Sequence, residues 1–189
     1  MKKLVIALGV SVLLGACAGS GMSNASSSAA TPMVGGAPMY PTKDIVDNAV
    51  NSKDHTTLVA AVKAADLVAT LKSPGPFTVF APTNASFAAL PAGTVDTLLK
   101  PENKATLTKV LTYHVVPGRM DSAALTSAIN AGGGKAMLKT ASGGTLTATM
   151  SGGTVWVTDA KGGTAAVTIA NVYQSNGVIH VVNKVLLPG

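Results

Sequence analysis

The residues able to do chemistry are few and dispersed. The chain has 189 residues, with one cysteine, three histidines and eight carboxylates. Catalysis by a nucleophile, a carboxylate pair or a metal needs such groups in recognisable sets. There is no G-x-S-x-G elbow and no G-x-x-x-x-G-K-[ST] phosphate loop, and the acidic residues do not pair at an informative spacing. His55, His114 and His180 stand far apart. Met22, Met33 and Met39 carry thioethers, soft donors that suit Cu(I), but they are widely spaced with no histidine among them. The expectation is no catalytic residue, no metal site and no cofactor.

Cys17 is the exception. It follows Leu14-Gly15-Ala16, behind a basic start, Met1-Lys2-Lys3, and an apolar run from Leu4 to Leu14. A run of that length suits an export leader and falls short of a membrane span. The segment looks like a lipobox, a motif in which small residues before the cysteine let the backbone fit the lipoprotein signal peptidase and the thiol is the nucleophile that accepts a diacylglycerol. One acyl chain holds a protein only marginally, but at about 0.8 kcal/mol per buried methylene two or three chains anchor it stably. The first expected partner is therefore the membrane, through an N-terminal lipid. With Cys17 acylated, no disulfide can form within one mature chain, and stability must come from packing.

The elements that could position anything else lie beyond a long polar stretch. Residues 1–16 read as a lipoprotein signal peptide, and 17–42 as the lipidated Cys17 with a flexible linker rich in Ser, Ala, Gly, Met and Pro. Residues 43–189 read as a single domain, within the usual roughly 100–200 residues. Hydrophobic residues make up 47% of the chain, enough for a core, and charged residues only 12%, so much of the surface must be small or hydroxylated. Losing Lys2 and Lys3 with the leader lowers the formal charge of +6 by two. The other lysines are scattered rather than clustered, which argues against nucleic acid.

Within the domain the pattern predicts helices first and strands later, an α+β class with a largely antiparallel sheet. Asp44 to Val50 suggests a short helix. Leu58, Val62, Ala65 and Val68 recur at helical spacing, with Asp54 or Thr56 as cap and Pro74-Gly75 as the stop. Phe77 to Phe80 reads as a strand ended by Pro82, which lacks a ladder N–H; Thr83 or Asn84 then caps a short helix through Phe87. Pro101 and Glu102 open a helix whose Leu107, Val110, Leu111 and His114 share a face. Asp121 caps another, broken at Gly132-Gly133-Gly134. Beyond it, alternating apolar residues and the glycine pairs at 143–144, 152–153 and 162–163 predict hairpins, and Asn176-Gly177 predicts a turn with positive φ.

Three segments together resemble the fasciclin-like (FAS1) family. They are Phe77-Thr78-Val79-Phe80-Ala81-Pro82-Thr83-Asn84-Ala85-Ser86-Phe87, then Leu111-Thr112-Tyr113-His114-Val115-Val116-Pro117-Gly118, then Asn176 to Pro188 with His180 at its centre. The resemblance covers Lys43 to Gly189. It implies a wedge-shaped, mostly antiparallel β-sandwich with several flanking helices, and a non-enzymatic role in adhesion. Tyr113 and His114 match the family's adhesion motif. Asn183 and Lys184 lie where animal relatives carry a second integrin-interacting motif, without the Asp usual there in some of them. Two readings stand for Tyr113 and His114: a buried, hydrogen-bonded brace, or direct contact with a partner. As neighbours at a helix end they should point to different sides, one inward and one to solvent. His55 should be exposed at a helix start, and His180 should face outward or make a core hydrogen bond. Trp156 and Tyr173, on strands, pack in the core or stack on a sugar or partner surface.

The implied partner is a surface protein or polysaccharide, and the implied address is the cell envelope. Ala18 follows the cysteine; in envelope lipoproteins, which this leader resembles, Asp at that place favours inner-membrane retention, so the outer membrane is expected. Two alternatives remain: a periplasm-facing binder of an envelope polysaccharide or small apolar ligand, and an envelope structural role through a protein partner.

Overall fold

The computed structural model describes residues 31–189; the expected signal peptide, Cys17 and most of the expected linker lie outside the described residues. The first described segment corrects the linker boundary. A two-stranded ribbon, β1 (Met33–Val34) and β2 (Ala37–Pro38), turns through Gly35-Gly36, whose φ values of 59° and 75° only glycine adopts freely. Val34 and Met39 are buried at 3% and 2% exposure, and the Lys53 amide donates to the Gly35 carbonyl at 3.2 Å. These residues belong to the packed body because they bring two large apolar side chains to a core. Met39 is spent there rather than offered as a thioether.

Helices come next. α1 (Ile45–Ala49) starts where the Asp44 carboxylate accepts the Asp47 amide at 2.8 Å. The single helix expected through Val68 to the stop at Pro74-Gly75 is two, α2 (Thr56–Ala64) and α3 (Val68–Lys72). Between them Asp66 adopts φ 54°, a left-handed conformation that Asp tolerates better than most residues, and the Leu67 amide turns back to the Val62 carbonyl. The break sends Leu67 and Leu71 into the core. After the strand β3 (Phe77–Pro82), α4 (Asn84–Ala88), α5 (Thr94–Leu99) and α6 (Lys104–Tyr113) follow. β4 (Val115–Pro117) then precedes α7 (Ser122–Ala131), capped as expected by Asp121 on the Ala124 amide at 2.8 Å.

The remainder is β: β5 (Lys135–Lys139), β6 (Thr145–Ser151), β7 (Thr154–Thr158), β8 (Thr164–Gln174) and β9 (Gly177–Val182). The large sheet runs β4-β3-β9-β8-β7-β6-β5. It is antiparallel except between β3 and β9, which run parallel with Phe77 beside Gly177 and Phe80 beside His180. β8 joins the two halves. Its first residues pair with β7 and the rest with β9, across irregularities at Val167–Ile169 and Ile169–Val172. Asn171 in that stretch has φ 59°, and such bulges bend a strand. The sheet curls until its edges approach, the Ala141 amide donating to the Val115 carbonyl at 2.7 Å. The fold is the expected α+β, with the sheet drawn into a near-barrel.

β3 and β9 separate two cores. Val79, Ala81, Ile179 and Val181 face the helices α1–α3 and α6, with Leu58, Leu71 and Leu111. Phe80 and Val182, on the opposite faces, pack inside the curled sheet with Leu125 and Ile129 of α7, Leu138, Leu146 and Val157. Each such fully buried side chain is worth roughly 1.5–3 kcal/mol. Alternation along β9 therefore carries no polar side, and all six of its residues are buried.

Candidate functional site

The Tyr113-His114 pair sits where α6 meets β4. Both side chains are buried, at 1% and 3% exposure, which corrects the expectation that one would meet solvent. Successive helical residues do diverge, but this helix end lies between two cores, so both directions lead inward. The Tyr113 hydroxyl donates to the Thr145 carbonyl at 2.8 Å and accepts from the Ala160 amide at 3.0 Å. Burial pushes its phenol pKa up. The Leu186 amide donates to His114 Nε2 at 2.9 Å, so the proton lies on Nδ1, which donates to the Val110 carbonyl at 2.8 Å. Burial holds this imidazole neutral, its pKa lowered from 6.5 to about 4, with the Val110 bond and the Asp159 carboxylate opposing the shift. The pair ties α6 to the β5–β6 turn, the β7–β8 turn and the C-terminal segment. Both side chains are thereby buried and bonded within the fold.

The other two blocks also turn inward. The ring of His180 stacks on Phe80, centroids 5.7 Å apart and planes at 26°. Its Nε2 donates to the Met120 carbonyl at 2.8 Å, while the buried Nδ1 has no protein partner. Burial lowers its pKa. His55, expected at the surface, is 3% exposed, with Nδ1 2.9 Å from the Ser52 hydroxyl, and burial lowers its pKa too.

At the end of β3, Pro82 lies beside Val182. Thr83 caps α4 in a reciprocal box with Ser86, whose hydroxyl also reaches the Val182 carbonyl at 3.2 Å. Phe87 packs into the helical core, and Phe77 is half-buried against it. Asn84 does a different job from capping its own helix. Its carbonyl accepts the Thr57 amide at 3.0 Å, and its amide donates to the Lys53 carbonyl at 2.8 Å. It thereby supplies the cap that α2 lacks in its own sequence.

Asn176 and Gly177 work by contact rather than by the expected positive φ, which neither has. Asn176 accepts from the Ile45 amide at 3.1 Å and donates to the Leu71 and Ser73 carbonyls at 2.6 and 3.2 Å. One side chain thus joins the start of α1 to the end of α3. A Cβ on Gly177 would stand 2.2 Å from the Phe77 carbonyl oxygen, so the residue is glycine to let β9 approach β3.

Of the four expected interaction residues, only Asn183 and Lys184 are exposed. Asn183 extends the β8–β9 pairing, its backbone amide donating to the Ala166 carbonyl at 3.1 Å and its side-chain Oδ1 accepting the Ala166 amide at 2.8 Å. Tyr113 and His114 being buried, the four do not form one exposed patch. Trp156 is half-buried and Tyr173 is 40% exposed, its hydroxyl 3.3 Å from Asp121.

Sequence reasoning passed over Asp159. Its carboxylate accepts from the Lys161, Gly163 and Leu187 amides at 2.9, 2.7 and 3.0 Å. The Asp-x-x-Gly-Gly spacing of a tight turn was its signal. A further feature had no sequence signal. A cavity of about 80 Å³ lies under α1–α3, walled by apolar side chains including Ile45, Leu58, Val62, Leu67 and Leu111. Among the described residues no three His, Cys, Asp or Glu side chains come together as a metal site, and no helix is long and apolar enough to cross a membrane.

A fasciclin domain model matches residues 53–188. The chain belongs to the fasciclin domain family. This FAS1 chain is 50% identical over 145 residues to protein sll1483 of Synechocystis sp., covering 76% of this chain and 73% of that one. It is 32% identical over 123 residues to the cell surface glycolipoprotein MPB83 of Mycobacterium bovis, covering 65% of this chain and 48% of that one. Among solved structures it resembles a FAS1 domain pair from the insect cell adhesion molecule fasciclin I. The TM-score is 0.69 at 15% identity, over 77% of this chain and 51% of that chain. The chain spans about half the length of these last two proteins.

Proposed function

We propose that the chain is a non-enzymatic adhesion module, held to the outside of a cell membrane by lipid on Cys17 and presenting its FAS1 domain to a surface protein or polysaccharide. The observation that carries this is the burial of every histidine and of Tyr113. The side chains best suited to proton transfer or ligation are shut inside the fold, which leaves the surface for binding. The leader ending at Cys17 and the relative named as a cell surface glycolipoprotein support the lipid tether, and the fasciclin I neighbour, named as an adhesion molecule, supports the role. Weak single contacts suffice, because many tethered copies can raise avidity by about 10²–10⁴ over one site. A strain lacking the protein should attach poorly to a surface or to other cells, and a Cys17→Ser variant should leave the membrane fraction and restore attachment only in part. Normal attachment by the deletion strain on all surfaces tried would refute the role.

The cavity beneath α1–α3 favours a second reading, a periplasm-facing binder of a small apolar ligand. Protease treatment of intact cells separates the two, since an inward-facing domain is spared.

A further inference from the structure

The outward face of β5, β6 and β7 has an ordered chemistry that the family membership does not explain. Their inner side chains, such as Leu138, Leu146 and Val157, fill the core. Residues directly opposite one another on neighbouring strands share a face, so the register defines rows. One row runs Lys135, Thr149, Trp156. The next runs Met137, Thr147, Thr158 and on to Thr164 of β8. Lys139 stands opposite Thr145 in the third. None of these residues is fully buried, and Met137 is 74% exposed.

Charge on this face has one sign. No carboxylate occurs from residue 122 to 158, and the lone acid after it, Asp159, is buried and bonded to backbone amides. Six of the eight acidic residues precede Lys104, in the helical half. There Lys72, Lys100 and Lys104 are paired with carboxylates. Among the described residues, Lys135 and Lys139 have no ion-pair partner.

We propose that this face binds an anionic polysaccharide, laid across the strands. The proposal rests on the adhesion reading and names its ligand. Neighbouring strands lie about 4.8 Å apart, close to the length of one hexose unit. A chain crossing β5 to β7 therefore meets a side chain at each sugar. The threonine hydroxyls donate to and accept from sugar hydroxyls, and they are β-branched, so little rotamer freedom is lost on binding. Trp156 supplies an apolar ring on which a pyranose face stacks. Lys135 and Lys139, at the edge, meet the carboxylates or sulfates of the polymer. A protein partner is disfavoured by the hydroxyl-rich, weakly apolar surface, and a bilayer by the absence of a protruding apolar loop among these strands.

The test uses the full chain and alginate as probe. Binding is followed by titration calorimetry, with dextran, poly-glutamate and vesicles of phosphatidylglycerol in phosphatidylcholine as comparators. Alginate should bind more tightly than dextran, poly-glutamate or the vesicles. The double variant Lys135→Glu, Lys139→Glu, whose changes are on exposed side chains and leave the core intact, should weaken alginate binding about tenfold or more. Thr147→Val and Thr158→Val together should weaken it with charge unchanged. Three results overturn the proposal: no alginate binding by the wild type, equal binding of poly-glutamate or vesicles, or undiminished binding by the charge-reversed variant. If that variant still supports attachment of cells, this face is wrong while the adhesion reading stands; if cells lacking the protein attach normally, the adhesion reading itself has failed.

Discussion

Replacing His114 by phenylalanine should change both the stability of the domain and how that stability depends on pH. In the native protein the imidazole is neutral and bonded at both nitrogens, to the Val110 carbonyl and the Leu186 amide. Phenylalanine fills the space but leaves the Leu186 amide buried without an acceptor, at a cost of about 1–3 kcal/mol. At pH 7 the variant should be less stable by about that amount. Acid acts on the wild type alone at this position. Its unfolded chain takes up a proton near 6.5, whereas the folded one resists until about 4. Because the folded pKa is depressed, the stabilisation is complete above 6.5 and is lost as pH falls. At ~1.4 kcal/mol per pH unit, the loss reaches roughly 3 kcal/mol by pH 4. His55 and His180, lowered in the same direction, steepen the slope in both proteins and cancel in the difference. Urea unfolding followed by circular dichroism at pH 7, 6, 5 and 4 should therefore show the gap between wild type and variant closing as pH drops. A gap that stays constant over that range would refute the assignment of a neutral, doubly bonded His114.

Other substitutions probe the joints of the fold. Gly177→Ala places a methyl against the Phe77 backbone and should cost about 3 kcal/mol, read as a lower urea midpoint. Asn176→Ala removes three bonds that join α1 to α3 and should cost about 2–3 kcal/mol, with faster exchange of the Ile45 amide. Thr83→Ala removes the α4 cap and should cost about 1 kcal/mol; an unchanged melting temperature would mean that Ser86 suffices.

What could be read in the sequence was what local chemistry fixes. The switch from β3 to α4 was legible because Pro82 and Thr83 each have one strong preference. The cap at Asp121 and the glycine turns were legible for the same reason. What stayed hidden depends on distant neighbours. His55 looked exposed because the ribbon that shelters it was taken for linker, yet Val34 and Met39 line the same small space as His55. The inward turn of both Tyr113 and His114 follows from there being two cores, which no helical spacing discloses. β5 escaped notice because five residues flanked by lysines carry little apolar signal. The Asn176-Gly177 pair was recognised as a turn, but its reason, close approach to Phe77 and three long-range bonds, belongs to tertiary structure.

The position of β9 bears on how the protein is made. β9, the last of the described strands in chain order, is inserted between β3 and β8, both of which precede it. Until residue 182 is present, the sheet has a gap down its middle and neither core can close. Such late, long-range closure is slow, so the helices and the strands on either side stay half-assembled until β9 joins them.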